Sequence, residues 1–254
     1  MTNALKNFFL CSIIVLMYAP IVVLIAYSFN EAQYSMTLTH FSVKWYRMLM
    51  NNPILWKNTG NSFLLAFISS SVTTLLAGLC AIALYFYSFK AKKSLQKLML
   101  LMIIVPDIML AIGLLLLFNA MQLTFGFCTL LFAHISFSLP FALIVVQNRI
   151  TSLDKNLLLV CQDLGAFDFF SCKTILLPLL STALVSAWLL SFTLSFDDVL
   201  ISYFVSGPSF QTLPLTIYSL IRTGIKPEIN ALCSIIFIIS SVCAVLSYEF
   251  IRKD

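Results

Sequence analysis

Three carboxylates sit where an apolar chain has least use for them: Asp107, Asp197 and Asp198 each lie inside a long hydrophobic run, and no Lys or Arg lies at comparable depth in any such run. An ionised Asp at the centre of a lipid-spanning helix costs roughly 2.5–3.5 kcal/mol, so three cost on the order of 8–10 kcal/mol before compensation. Such a group must be neutral, face water, or meet a cation. With no permanent positive charge beside them, a cation in transit is an economical partner, and its sign points to a positively charged solute. The alternative is a neutral carboxyl hydrogen-bonded between helices, to Ser or Thr.

Spacing refines this reading. Taken as one helix, Ser191, Ser195, Asp198, Ser202 and Ser206 recur four, three, four and four residues apart, which places them on one face as the wall of a wet passage. Asp198 is then the first choice for contact with the solute. Asp197 is turned about 100° away, toward Thr193, and is the second choice or a contact to a neighbouring subunit. Both lie roughly 10 Å below the outer end of their run, and Asp107 lies ~15 Å from the inner end of its own. Pro106 removes a backbone donor and frees the carbonyl of Met102 as a further ligand for an ammonium group. Trp45 and Tyr46 offer either cation–π contacts to an arriving amine or an aromatic anchor at the membrane interface. His134 has no acid or metal-ligand spacing around it and reads as a satisfied interhelical histidine. The seven cysteines show no CxxC pairing and read as small packing residues, so no disulfide framework or metal site is expected.

The elements that must hold these side chains follow from hydropathy. The chain has 254 residues, 61% hydrophobic and 10% charged, a composition that calls for lipid as solvent. Candidate spans run over residues 8–29, 62–87, 98–122, 127–147, 179–205 and 231–250. The first has 22 residues and no small-residue cleavage site behind it, so it reads as a retained span and not a signal peptide. With the N-terminus inside, ten of the fifteen basic residues fall on inner segments and five (Lys44, Arg47, Lys57, Arg222 and Lys226) on outer ones. That positive-inside bias predicts both termini in the cytoplasm, and it explains the net charge of +5 without nucleic acid. The fold class is all-α: six transmembrane helices forming one membrane domain over residues 1–254, with a core over 60–250. Short helices are expected over residues 40–49 and 216–222 on the outer side.

The connection over residues 148–178 faces the cytoplasm. Leu153, Leu157, Val160, Cys161 and Leu164 share one helical face, Asp154 complements the helix dipole, Gly165 stops the helix, Asp168 caps a second one, and Pro178 opens the next span. The product is a helix–Gly–helix elbow, suited to docking a cytoplasmic partner. Asp163-Leu164-Gly165-Ala166 followed by Ile175-Leu176-Leu177-Pro178 resembles the "EAA…G…I-LP" loop of binding-protein-dependent ABC importer permeases. In the name-giving triplet this chain has Leu159-Val160-Cys161 where the family has Glu-Ala-Ala, which removes one polar contact. The resemblance narrows with Trp45-Tyr46, Pro106-Asp107, the stretch Leu190-Ser191-Phe192-Thr193-Leu194-Ser195-Phe196-Asp197-Asp198, Gly207-Pro208-Ser209, Leu213-Pro214-Leu215 and Pro227-Glu228-Ile229-Asn230-Ala231. Together these are similar to the PotC-type permeases of spermidine/putrescine importers.

The resemblance implies a type I importer (MetI-like) permease fold in the bacterial inner membrane, and residues 148–178 as the coupling loop. Leu159, Asp163, Gly165, Ala166, Asp168, Ile175, Leu177 and Pro178 would seat on an ATPase. It further implies a PotB-type sister permease, a PotA-type ATPase dimer that holds ATP and Mg, and a periplasmic or lipid-anchored PotD-type polyamine-binding protein. The chain itself would bind no cofactor. It has no GxxxxGK[ST] loop to cradle a nucleotide and no GxSxG or HExxH for hydrolysis. Three other readings compete: a proton-coupled transporter of organic cations using Asp107 and Asp198, which leaves the elbow without purpose, an ABC importer permease for another small solute, and an intramembrane aspartyl protease, for which the Gly-x-Gly-Asp setting is missing.

Overall fold

The computed structural model describes residues 3–32, 39–153, 176–223 and 227–253. Its described residues form ten helices: α1 Asn3–Ser28, α2 Lys44–Met50, α3 Pro53–Phe86, α4 Lys92–Ile104, α5 Asp107–Ala120, α6 Phe127–Thr151, α7 Leu177–Phe196, α8 Leu200–Val205, α9 Leu213–Thr223 and α10 Pro227–Lys253. Among these residues the extended structure amounts to one antiparallel bridge, Asn30 to Phe41. Four helices are long and apolar enough to cross a bilayer, and a fifth crossing arises if α4 and α5 count together. Pro227–Val242 of α10 is a further, shorter apolar helix among the residues described in full. The protein is an all-α membrane protein, as the composition requires.

Contacts divide the chain into two compact units, Met1–Trp56 with Ile217–Asp254, and Lys57–Thr216. In the second unit α6 is the central helix. One side of it packs through Ala142, Leu143, Val146 and Ile150 against Ala77, Ala81 and Leu84 of α3 and Leu180 and Ala187 of α7. Higher up, Ala133 meets Ala111 and Phe118 of α5 and Ile201 and Val205 of α8. Alanines recur in both seams because lipid offers no hydrophobic reward for helix pairing, so close van der Waals approach has to supply it. Gly78 of α3 shows how tight this is: a Cβ there would stand 3.3 Å from Leu184 Cδ2. Helix α3 starts nine residues before the apolar run does. Pro53 suits a first turn, where its missing N–H costs nothing, and the polar residues that follow find partners. Asn58 Nδ2 donates to Thr216 Oγ1 (2.8 Å), and Ser62 Oγ accepts from the Leu213 amide (2.8 Å).

The first unit holds α1, α2 and α10. Residues 28–32 lie against residues 39–46: the Ser42 amide donates to the Phe29 carbonyl (2.7 Å), and the Glu31 amide to that of His40 (3.0 Å). The Phe29 and Phe41 rings stack at 5.1 Å. Asn52 Nδ2 donates to Glu228 Oε2 at 3.0 Å, tying the start of α10 to the turn after α2.

Two expected spans are not continuous. The run over residues 98–122 bends by 112° between α4 and α5. Pro106 drives Val105 into extended backbone (φ −66°, ψ 129°), as a residue before proline prefers, and the helix restarts at Asp107. A depth counted along a straight helix therefore does not apply to Asp107. The run over residues 179–205 ends as α7 at Phe196 and resumes as α8 at Leu200, so the five-residue stripe from Ser191 to Ser206 is split between two segments. The elbow expected from the sequence, including Leu159, Asp163, Gly165, Ala166, Asp168 and Ile175, lies outside the described residues. Its flanks are in view: Leu177 and Pro178 open α7, both exposed, and Arg149 Nε near the end of α6 donates to the Leu179 carbonyl at 3.2 Å.

Candidate functional site

The break between α7 and α8 is made by Asp198 itself. Its Oδ1 accepts from the Ile201 amide (3.1 Å) and its Oδ2 from the Ser202 amide (2.8 Å). A short polar side chain that captures amides three and four residues on competes with the helical ladder and opens a new helix start. The ladder resumes with the Tyr203 amide on the Val199 carbonyl (2.8 Å). Asp198 is only 7% exposed and points inward, where His134 Nε2 of α6 lies 3.5 Å from Oδ2. At that length the contact is electrostatic more than a hydrogen bond. Asp198 thus has an internal partner that a search for Lys and Arg overlooks.

His134 is the hub of a buried polar network. Its Nδ1 is 2.7 Å from Ser195 Oγ on α7, and its Nε2 is 3.3 Å from Ser202 Oγ on α8. Ser69 Oγ of α3 donates to Ser195 Oγ (3.0 Å), Ser138 Oγ donates to the His134 carbonyl (2.6 Å), and Thr73 Oγ1 pairs with Ser138 Oγ (3.0 Å). When Ser69 donates to Ser195, the Ser195 proton can point at Nδ1; in that tautomer Nε2 carries the proton toward Ser202 and Asp198. His134 is the satisfied interhelical histidine its sequence context suggests, but an acid does stand beside it. The signal for that pairing is weak: the two residues are 64 positions apart and share only polarity within apolar runs.

The remaining candidates fall into different settings. Ser191 and Ser202 are fully buried and Ser195 is 6% exposed; among the described residues the Ser191 hydroxyl has no hydrogen-bond partner. Asp197 ends α7 with its backbone amide on the Thr193 carbonyl (3.1 Å), and its side chain is exposed. Asp107 is exposed in the first turn of α5, where a helix N-terminus favours negative charge. Among the described residues neither Asp107 nor Asp197 makes a salt bridge. Trp45, in the first unit, is 2% exposed; its Nε1 donates to the Asn30 carbonyl at 2.6 Å, and Lys44 Nζ stands 5.2 Å from the centre of its ring. The Tyr46 hydroxyl pairs with Ser28 Oγ at 2.8 Å. A groove of about 350 Å³ between α3 and α7, lined by Leu75, Gly78, Leu79, Ile82, Leu184 and Trp188 among others, is apolar and offers no charge.

Chemically, the arrangement suits holding and not bond-breaking. The Ser195–His134–Asp198 order resembles a nucleophile–base–acid series, yet all three are buried and each is engaged in fixing helix ends. The two exposed carboxylates, one at the start of α5 and one at the end of α7, are free to meet a cation.

No family model matches the chain. Among curated proteins, the spermidine/putrescine transport system permease protein PotC of Escherichia coli K12 is 40% identical over 250 residues, covering 98% of this chain and 94% of its own. The PotC of Haemophilus influenzae is also 40% identical over 250 residues, covering 98% and 97%. The putrescine transport system permease protein PotI of E. coli K12 is 33% identical over 227 residues, covering 87% and 81%. Among solved structures, a bacterial ABC transporter involved in the import of the acidic polysaccharide alginate contains a chain of the same fold (TM-score 0.74, 14% identity, 99% and 95% covered). At this identity and coverage, the chain belongs to the PotC-type permeases of spermidine/putrescine transport systems.

Proposed function

We propose that this chain is a multi-pass permease subunit of the bacterial inner membrane, in an ATP-driven importer that carries polyamines into the cytoplasm. The observation that carries the substrate class is the pair of exposed carboxylates, Asp107 and Asp197, each at a helix end created by a break in an apolar run and neither ion-paired among the described residues. A polyamine is a string of ammonium groups, and carboxylates partly open to water offer it low-affinity stops instead of a tight trap. The relatives named for spermidine and putrescine support the same class.

In this reading Asp107 and Asp197 touch the cargo. Asp198, Ser191, Ser195 and Ser202 form the polar wall behind them, and Trp45 orders the segment that leads in from outside. A sister permease completes the passage, a solute-binding protein delivers the polyamine, and both termini lie in the cytoplasm. The chain has no nucleotide site of its own; ATP and Mg sit on a partner ATPase dimer. Leu159, Asp163, Gly165, Ala166, Asp168 and Ile175, with the exposed Leu177 and Pro178 beside them, dock on that ATPase. ATP binding would draw the dimer together, tilt the elbow and open the passage outward; hydrolysis would reverse the tilt.

The test is spermidine uptake by right-side-out membrane vesicles loaded with ATP. Uptake is expected to require internal ATP and the partner ATPase and to persist when the proton gradient is collapsed. Uptake that follows the proton gradient without ATP would overturn the assignment in favour of a proton-coupled carrier.

A further inference from the structure

Between Phe196 and Leu200 the helical ladder is interrupted, yet α7 and α8 must keep a defined angle if Asp197 is to face out and Asp198 in. His134 reaches both segments. One ring nitrogen meets Ser195 in the last turn of α7 (2.7 Å), and the other meets Ser202 of α8 (3.3 Å) and stands 3.5 Å from Asp198. The ring is 1% exposed and held from behind: Ser138, one turn on, bonds its carbonyl, Thr73 of α3 bonds Ser138, and Ser69 of α3 bonds Ser195. A flat ring with nitrogens on two edges is a short, rigid strut, whereas a flexible side chain would let the two hydroxyls drift.

We propose that His134 is a positioning residue that braces the α7–α8 break from α6 and so sets which carboxylate is presented. Asp197 is turned to the surface for the cargo, and Asp198 is kept inward as the cap of α8. The inference rests on the reading that Asp197 contacts the polyamine. Ser69, Ser138 and Thr73 fix the strut to α3, so a movement of α3 or α6 is transmitted to the break.

The experiment reads side-chain exposure directly. The full-length chain, with its seven cysteines replaced, carries Asp197→Cys in native membranes and is labelled with a cationic methanethiosulfonate. Thr193→Cys, one turn earlier and also exposed, is the control. Adding His134→Ala is expected to slow labelling at position 197 by about fivefold or more, the worth of one lost buried hydrogen bond, with position 193 unchanged. His134→Gln, able to serve one hydroxyl, is expected to restore part of the rate. Unchanged labelling at position 197, or an equal change at both positions, overturns the proposal. If His134→Ala fails to accumulate, Ser202→Ala cuts the α8 end alone; the same selective slowing supports the brace, and no change overturns it. Labelling is read without any polyamine, so it can fail while spermidine uptake stands, and uptake can fail while the selective slowing holds.

Discussion

Replacing Asp198 by Ala removes the acceptors of two amides at the start of α8, at 3.1 Å and 2.8 Å, and the only acid beside His134 among the described residues. The side chain is 7% exposed, so water does not readily take its place. A hydrogen bond to a charged group is worth about 1.5–3 kcal/mol, and losing two of them costs at least ~3 kcal/mol. In a chain of this size that lowers the unfolding midpoint by roughly 6–12 °C. Asp197→Ala removes an exposed side chain whose residue is held by its backbone amide on Thr193. A surface change of that kind stays within about 0.5 kcal/mol, or roughly 1–2 °C. The assay is heating of the detergent-solubilised, fluorescently tagged chain, followed by the fraction that remains monodisperse on size exclusion. Asp198→Asn keeps one acceptor but turns a donor toward the other amide, so it is expected to fall between. An Asp198→Ala midpoint within about 2 °C of the parent, or equal losses for Asp197→Ala and Asp198→Ala, would refute the separation of roles.

Two further predictions concern the frame. At Gly207 a Cβ would collide with the backbone carbonyl of Phe125; backbone cannot yield as a side chain does, so Gly207→Ala is expected to cost about 2–3 kcal/mol and lower the yield of monodisperse protein. Trp45→Phe keeps a ring in the first unit but loses the 2.6 Å bond to the Asn30 carbonyl. It is expected to cost about 1–2 kcal/mol in the same heating assay, and a midpoint equal to the parent's would show that the bond is not needed.

Hydropathy and helical spacing locate the apolar runs and two short helices, expected over 40–49 and 216–222 and found over Lys44–Met50 and Leu213–Thr223, because each depends on local composition and period. They see through both breaks. Residues 98–122 and 179–205 are apolar on average, and a hydropathy window averages over the two or three residues where the backbone turns. The signals for the breaks were of another kind. Pro106 restricts Val105, and Asp198 is a short polar side chain able to capture nearby amides in competition with the helical ladder. Read as a cap, Asp198 would have been assigned to structure and Asp197 to contact, reversing the order that a single continuous helix suggests. The approach of His134 to Asp198 was not legible, since it joins α6 to the α7–α8 junction and depends on how the seams of small residues bring those helices together. Exposure also separates two cysteines from the packing role their apolar surroundings suggest: Cys11 and Cys128 are on the surface.

The account stands on negative charge at position 197 being offered to a positively charged cargo. Initial rates of spermidine uptake should be compared for the parent, Asp197→Asn and Asp197→Glu at matched amounts of chain in the membrane. Loss of one charged hydrogen bond predicts a fall of about tenfold or more for Asn, with Glu retaining most of the rate. An Asn variant that imports spermidine as fast as the parent would contradict it.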